Sequence, residues 1–256
     1  MKIRFHEYRH ILHFHQYEEG VFFYREVLGL QPNYNWAIVP QQKGYRFYMG
    51  TGRLEIVQYP FSPAQGRGEF KADCVDLNLC MERILSEAPD TEILERGAAL
   101  VTLRDPDGNI VHLTQEKHMR RTEAPVDKTN MFVGNFTSIL YEKDLEQAKN
   151  FYCGQIGLEL LQSGRDMCLL QAGDAWLELR KMTEETEMGP SMVAFEADSV
   201  NKLYDRLSAD AAYREAGVLH DTDFDARRLF QLYDPSGNVV EIYAYLRNVR
   251  EEILLH

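Results

Sequence analysis

The chain repeats itself at half its length, and this repeat constrains the fold more than any other feature of the sequence. Phe23-Tyr24 with Gly29-Leu30 recurs as Phe151-Tyr152 with Gly157-Leu158. Both copies end a helical pattern at a glycine, the residue that most readily takes the left-handed conformation after a helix. A repeat of this length indicates an internal duplication, so we expect the two halves to have the same order of elements.

A turn sequence repeats with almost the same spacing. Asp-Pro-Asp-Gly-Asn at 105–109 matches Asp-Pro-Ser-Gly-Asn at 234–238. Proline fixes its own φ, and glycine and asparagine tolerate a positive φ, so each sequence favours a tight turn into the strand that follows. That strand carries one ionisable residue three places after the asparagine, His112 in one copy and Glu241 in the other. These two residues are the first candidates for chemistry.

The two copies are separated by the segment 117–130. It is polar and has no periodic apolar pattern, which is typical of a linker. We therefore predict a first domain at 1–116 and a second domain at 131–256.

Each half has the pattern β-α-β-β-β followed by a second unit of the same kind. Apolar residues alternate in the short strands and recur every three or four positions in the helices. Asp144, with Gln147 three residues later, is a good start for the helix of the second half, whereas Gln16 is a weaker cap in the first half. These patterns predict an α+β protein with mostly antiparallel sheet and helices on one face.

Charge and composition exclude several kinds of partner. The 28 basic and 40 acidic residues give a formal net charge of −12, which disfavours nucleic acid or an anionic membrane as the partner. No apolar run is long enough for a membrane span, and no apolar signal segment is seen at the N-terminus. The four cysteines form no Cys-x-x-Cys pair, so we expect reduced thiols in a cytoplasmic protein.

The motifs together resemble those of the vicinal oxygen chelate superfamily, which includes glyoxalase I, extradiol dioxygenases and the bleomycin and fosfomycin resistance proteins. The resemblance is carried by Asp144-Leu145, the Phe-Tyr and Gly-Leu pairs and the two Asp-Pro-x-Gly-Asn turns, and it covers nearly the whole chain. It implies two tandem glyoxalase-like domains, each of two βαβββ modules with curved sheets around a cleft. In that cleft His and carboxylate side chains would hold a divalent metal, which acts as a Lewis acid or activates oxygen.

The resemblance also implies where ligands would stand in the second half. Thr137 replaces the first-strand histidine, and the histidine of the next module would fall near Met192. Glu178 and Glu241 keep the two acids. These two carboxylates are therefore the candidate catalytic residues of an acid–base reaction.

In the first half, the same positions hold Arg9 with His10 beside it, then Glu55, a residue near Arg67, and His112. The resemblance thus implies a metal set of two histidines and one carboxylate: His10, Glu55 and His112. Strand alternation argues against His10, because it places Arg9, Ile11 and His13 towards the cleft. Whether His10 or His13 completes the set stays open at this stage.

Further side chains on the same strand faces would contact a substrate. These candidate substrate-binding residues are Arg9, His13, Trp176, Arg180 and Tyr243. They would give the cleft an aromatic and polar lining.

Two functions follow from the resemblance. The first is a metal-dependent lyase or oxidoreductase of the glyoxalase or dioxygenase type, using Fe, Mn, Ni or Zn on a small molecule. The alternative is a metal-free protein that binds a small molecule without catalysis, as resistance proteins of this fold do. Four modules can close two clefts within one chain, so we expect either a monomer or a homodimer.

Overall fold

The computed structural model of the protein describes residues 3–60, 66–115, 131–186, 188–223 and 225–249. The predicted linker, 117–130, lies outside the described residues. No described helix is long and apolar enough to cross a membrane.

Four βαβββ modules follow one another along the chain, as the sequence predicts. The strands of the first half are β1 Phe5–His13, β2 Pro32–Val39, β3 Gln42–Met49, β4 Gly52–Gln58, β5 Glu69–Cys74, β6 Ile93–Arg96, β7 Leu100–Arg104 and β8 Ile110–Gln115. Those of the second half are β9 Phe132–Glu142, β10 Glu159–Ser163, β11 Met167–Ala172, β12 Ala175–Lys181, β13 Met192–Ala197, β14 Glu215–Thr222, β15 Arg227–Tyr233 and β16 Val239–Tyr245. The helices are α1 Tyr17–Phe22, α2 Leu77–Glu87, α3 Leu145–Lys149 and α4 Val200–Ser208; α1 and α3 continue as π-helical segments, Phe23–Val27 and Asn150–Ile156.

The sixteen strands form two mixed sheets of eight. Sheet A has the order β14-β15-β16-β13-β1-β4-β3-β2, and sheet B has the order β10-β11-β12-β9-β5-β8-β7-β6. At the centre of each sheet the first strands of two modules run antiparallel, while each pairs in parallel with the fourth strand of its own module. The predicted α+β class with βαβββ modules is confirmed.

Each sheet joins modules from both sequence halves. Sheet A combines the first and fourth modules, and sheet B combines the second and third. The division at 117–130 therefore separates the two copies of the repeat, but it does not separate the two sheets. The boundaries 1–116 and 131–256 remain a prediction about the duplication.

The helix ends follow the expected capping chemistry. Asp144 accepts hydrogen bonds from the backbone N–H of Glu146 and Gln147 at 3.0 Å each, whereas Gln16 makes no side-chain cap bond. Gly157 ends the third helical element with φ of 100°, and Gly29 has φ of 72°. Only glycine takes these angles without a steric penalty, which explains the repeated Gly-Leu pair.

The two repeated motifs contact each other. The Tyr24 hydroxyl donates to Asp105 Oδ2 at 2.7 Å, and the Tyr152 hydroxyl donates to Asp234 Oδ2 at 2.9 Å. Each aspartate also accepts from the backbone N–H of the asparagine four residues later, at 2.8 Å in both turns. The Phe-Tyr pair and the Asp-Pro-x-Gly-Asn turn thus form one unit that fixes the helix to the last strand of the next module.

The main core lies between the helices and the two sheets. Tyr8 of sheet A lies 6.4 Å, between ring centroids, from Phe136 of sheet B, which in turn packs on Phe70 at 5.7 Å. A second, smaller apolar cluster covers the opposite face of sheet A: Ile11, Val57, Met192, Ala194, Leu229, Val239 and Tyr243. Four members of this second cluster, Ile11, Val57, Met192 and Leu229, line the cavity that forms the candidate site.

Candidate functional site: two clefts with internal cations

Sheet A curls around a cavity of about 260 Å³, which we call cleft A. Residues of both edge strands reach the cavity, Trp36 and Ile38 from β2 and His220 and Thr222 from β14. The remaining lining residues come from the strands between them and, for Tyr59, from the residue that follows β4: Arg9, Ile11, Glu55, Val57, Tyr59, Met192, Arg227, Leu229, Gln231 and Glu241. Apolar walls and a charged floor therefore meet in one curved sheet.

Arg9 forms the centre of the floor. Its guanidinium donates from Nη1 to Glu55 Oε2 at 2.6 Å and from Nη2 to Glu241 Oε1 at 3.4 Å. It also lies 4.2 Å from the centroid of the Tyr243 ring, and the residue has no solvent exposure. One buried cation thus joins the carboxylates of β4 and β16, which belong to different modules.

Further donors hold both carboxylates in place. Glu55 accepts from Trp36 Nε1 at 2.7 Å and from Arg46 Nε at 3.3 Å. Glu241 accepts from Arg227 Nη1 at 3.2 Å and from Gln231 Nε2 at 3.0 Å. Burial alone would raise the pKa of Glu55, but the neighbouring arginines outweigh it and hold the pKa far below its usual range. Glu55 is therefore ionised at any physiological pH.

The charges around cleft A balance. Four arginines, Arg9, Arg46, Arg53 and Arg227, face four carboxylates, Glu7, Glu55, Asp225 and Glu241. The Tyr243 hydroxyl also donates to Glu7 at 2.8 Å. Among the described residues these pairs leave the floor with no net charge, although Arg9 Nε and Arg46 Nη2 are buried and make no hydrogen bond there.

These residues do not fit a divalent metal. Arg9 stands at the first-strand ligand position, and directly opposite it on β13 is Ala194, which offers no ligand atom. The two carboxylates that remain are already bound by guanidinium groups. Across the described part of the chain, no group of three or more His, Cys, Asp or Glu side chains could hold a metal ion.

Sheet B presents the equivalent face, which we call cleft B. Lys71 on β5 lies opposite Thr137 on β9, so the second internal cation comes from the other central strand. Lys71 Nζ lies 3.7 Å from Glu178 Oε2, and Arg180 Nε donates to Glu178 Oε1. In cleft B, as in cleft A, a basic side chain of a central strand lies near a carboxylate. Lys71 is more exposed than Arg9.

His112 is fully engaged in cleft B. Its Nε2 lies 2.8 Å from Glu69 Oε1, and its Nδ1 lies 2.9 Å from the Thr102 hydroxyl. Glu69 also accepts from Tyr141 and Arg180. Burial tends to raise the pKa of Glu69, but these donors hold it below its usual value. With both ring nitrogens occupied, His112 has no lone pair directed at a metal.

The proposed metal set of His10, Glu55 and His112 is therefore not brought together. Glu55 lies in sheet A and His112 in sheet B, because the sheets exchange modules. His10 faces the main core, with its ring 6.1 Å from the Phe70 ring, and neither ring nitrogen has a hydrogen-bond partner among the described residues. Burial lowers the pKa of His10 to about 3, so its ring is neutral. Strand alternation predicted this orientation correctly.

The other candidates divide between the clefts. The two carboxylates chosen for catalysis do not share a site, since Glu241 lies in cleft A and Glu178 in cleft B. Arg9 and Tyr243 belong to sheet A, and Trp176 and Arg180 to sheet B. His13 Nε2 lies 2.7 Å from the Tyr59 backbone oxygen at the end of β1. A contact of His13 with the substrate remains a prediction.

Sequence reasoning missed several residues of the two floors. The count from the family pattern pointed near Arg67 and Met192, whereas the residues opposite the first-strand positions are Lys71 and Ala194. Arg46, Arg227 and Glu69 were not singled out at all. For Glu69 the available signal is the alternation of the charged residues Glu69, Lys71 and Asp73 along β5.

Comparisons with known proteins agree with this architecture. The sequence profile of the Glyoxalase/Bleomycin resistance protein/Dioxygenase superfamily matches residues 133–242. No curated protein matches in sequence. Glyoxalase I from Zea mays superposes with a TM-score of 0.72 at 16% identity, covering 99% of this chain and 96% of the maize chain. A candidate dioxygenase from Bacillus subtilis superposes with a TM-score of 0.66 at 15% identity, covering 94% of this chain and 84% of the other.

At these identities the solved structures establish the shared fold alone. The family profile and the full-length arrangement of four modules in two sheets point in the same direction. Residues 133–242 therefore carry the sequence pattern of the Glyoxalase/Bleomycin resistance protein/Dioxygenase superfamily, and the whole chain shares the fold of two-domain glyoxalase I.

Proposed function

We propose that the protein binds a small molecule in cleft A without a metal ion. The observation that carries this proposal is the Arg9 guanidinium between Glu55 and Glu241, where a cation of the protein itself neutralises the carboxylates. A divalent ion would have to displace a fully buried ion pair from a network that is already balanced. Breaking such a pair costs several kcal/mol, on the order of 3–5.

The shape and chemistry of the cavity support binding. Cleft A combines apolar walls with a few fixed polar groups, which is the usual composition of small-molecule sites. The polar groups are held by hydrogen bonds from neighbouring strands, so little ordering is needed when a ligand enters. This is the metal-free alternative of the two functions that the family resemblance implies.

Metal analysis tests the proposal against the metal-dependent enzyme. Purified protein is equilibrated in turn with Fe²⁺, Mn²⁺, Ni²⁺ and Zn²⁺, desalted, and analysed by inductively coupled plasma mass spectrometry. We expect far less than one equivalent of each metal, with no difference in Glu55→Ala or His112→Ala. The two variants report on clefts A and B separately.

One equivalent of a metal that is lost in Glu55→Ala would overturn the proposal and support a lyase or oxidoreductase in cleft A. A metal lost only in His112→Ala would place the metal chemistry in cleft B. Either result would favour a metal-dependent lyase or oxidoreductase over a metal-free binding protein.

A further inference from the structure

The charge network of cleft A restricts what can bind there. All four arginines and four carboxylates around the floor lie within ion-pair distance of an opposite charge. Arg9, Glu55 and Glu241 are almost completely buried. A charged ligand would have to leave water for a site whose described charges already balance, and this desolvation cost is not repaid by a net attraction.

The apolar walls of cleft A favour a ligand with apolar surface. Ile11, Val57, Met192 and Leu229 form one continuous apolar cluster on the cleft face of sheet A. Ile38 also borders the cavity, and this residue is 53% exposed. Covering these side chains would stabilise a complex in proportion to the apolar area removed from water.

The floor still offers hydrogen bonds to an uncharged polar group. Gln231 borders the cavity, and its amide nitrogen donates to Glu241 Oε2 at 3.0 Å. This leaves an amide and a carboxylate side by side at the foot of an apolar wall. A hydroxyl or amide of a ligand can bond there without disturbing the arginine pairs.

We propose that the ligand of cleft A is a compact, electrically neutral and largely apolar molecule with one hydroxyl or amide group. The proposal rests on the binding function proposed above and specifies its ligand class. The cavity of about 260 Å³ is slightly below the range of about 300–1,000 Å³ that is usual for drug-sized ligands, which sets the upper size.

Three probe molecules of nearly the same shape test the effect of ligand charge at constant size. They are 1-adamantanemethanol, 1-adamantanecarboxylate and 1-adamantanemethylammonium, which are neutral, anionic and cationic at pH 7. The chain has two tryptophans, Trp36 in cleft A and Trp176 on β12 of sheet B. A Trp176→Phe protein therefore reports binding in cleft A through Trp36 fluorescence, and a Trp36→Phe protein reports on sheet B.

In the Trp176→Phe protein we expect the alcohol to bind at least about ten-fold more tightly than either ion, a difference of about 1.4 kcal/mol. Leu229→Phe places a larger side chain in the cavity. It should weaken the binding of the alcohol at least about ten-fold, which again corresponds to about 1.4 kcal/mol. The matched control is Leu100→Phe: Leu100 pairs with Thr114 in sheet B as Leu229 pairs with Tyr243 in sheet A. It should leave the affinity unchanged.

Ile38→Asn provides a second variant at an exposed position, where folding is not at risk. It should weaken the alcohol several-fold. If an ion binds most tightly and Leu229→Phe blocks it, the neutral class is wrong while binding in cleft A stands. If no probe changes Trp36 fluorescence, or if Leu229→Phe has no effect on any probe, both the ligand class and the binding function are overturned.

Discussion

Arg9 shows how one side chain changes what a site can do. The family resemblance implies a metal ligand at this position of the first strand. This chain has an arginine there, and its side chain is itself a cation. Its planar guanidinium reaches two carboxylates at once while stacking on Tyr243, a geometry that lysine does not provide. In cleft B the cation on the central strand is Lys71, which is partly exposed and lies 3.7 Å from Glu178, a carboxylate that Arg180 also binds.

This difference predicts unequal costs for removing the two cations. Arg9→Met should lower the free energy of unfolding by about 3 kcal/mol, because it leaves buried carboxylates with one partner fewer. Lys71→Met, the matched change in cleft B, should cost about 1 kcal/mol or less, as is usual for exposed pairs. Urea unfolding of both variants checks this. Equal costs would mean that the Arg9 network does not stabilise the fold.

A second prediction at this scale concerns Glu142, a buried carboxyl beside Asp234. Burial, followed by the charge of Asp234, raises the pKa of Glu142 to about 10 from an ordinary value of 4.5. Between these two values the folded state holds a proton that the unfolded state releases, so stability should fall as the pH rises.

Glu142→Gln should remove this pH dependence and make the protein more stable than the wild type at pH 8. Thermal unfolding from pH 5 to pH 9 provides the measurement, and Glu146→Gln at an exposed position is the control. A wild-type stability that rises with pH over this range, unaffected by Glu142→Gln, would show that Glu142 is ionised in the folded state.

At the scale of elements, the contact between the Phe-Tyr helix segment and the Asp-Pro-x-Gly-Asn turn occurs twice. Tyr24→Phe and Tyr152→Phe each remove one donor from a buried aspartate. Each should destabilise the protein by about 1–3 kcal/mol, the cost of an unsatisfied buried acceptor. Denaturant unfolding of both single variants measures it. A loss in only one copy would contradict the equivalence of the two units.

Many features of the individual helices, strands and turns could be predicted from the sequence. The caps at Asp144 and Gly157, the turns and the order of elements depend on local chemistry, and the repeat supplied each observation twice. The orientation of His10 also followed from alternation along β1. The partner of each strand did not follow, because pairing across a sheet depends on long-range packing that neighbouring residues do not encode.

At the scale of the whole molecule, the exchange of modules decides which residues share a site. Glu55 and His112 are both in the first half of the chain, yet they lie in different sheets. Glu55 and Glu241 are far apart in sequence, yet one guanidinium binds both. The sequence could therefore indicate which strands carry the candidate residues, but it could not indicate which of them lie in the same sheet.

Module exchange also predicts how the halves behave when separated. Neither 1–130 nor 131–256 contains both central strands of a sheet, since β1 pairs with β13 and β5 pairs with β9. Each half alone should therefore fail to form a folded monomer, and mixing the two should restore the native circular dichroism spectrum. Size-exclusion chromatography of each half provides the measurement. A stable, folded monomer of either half would contradict the exchange.

The metal-free function proposed for cleft A depends on Arg9 as its resident cation. Isothermal titration with Ni²⁺ tests this claim in the wild type and in Arg9→His, which replaces the cation with a metal ligand beside Glu55 and Glu241. We predict no stoichiometric binding to the wild type and one site per chain in Arg9→His. One tight site in the wild type, abolished by Glu55→Ala, would contradict the claim.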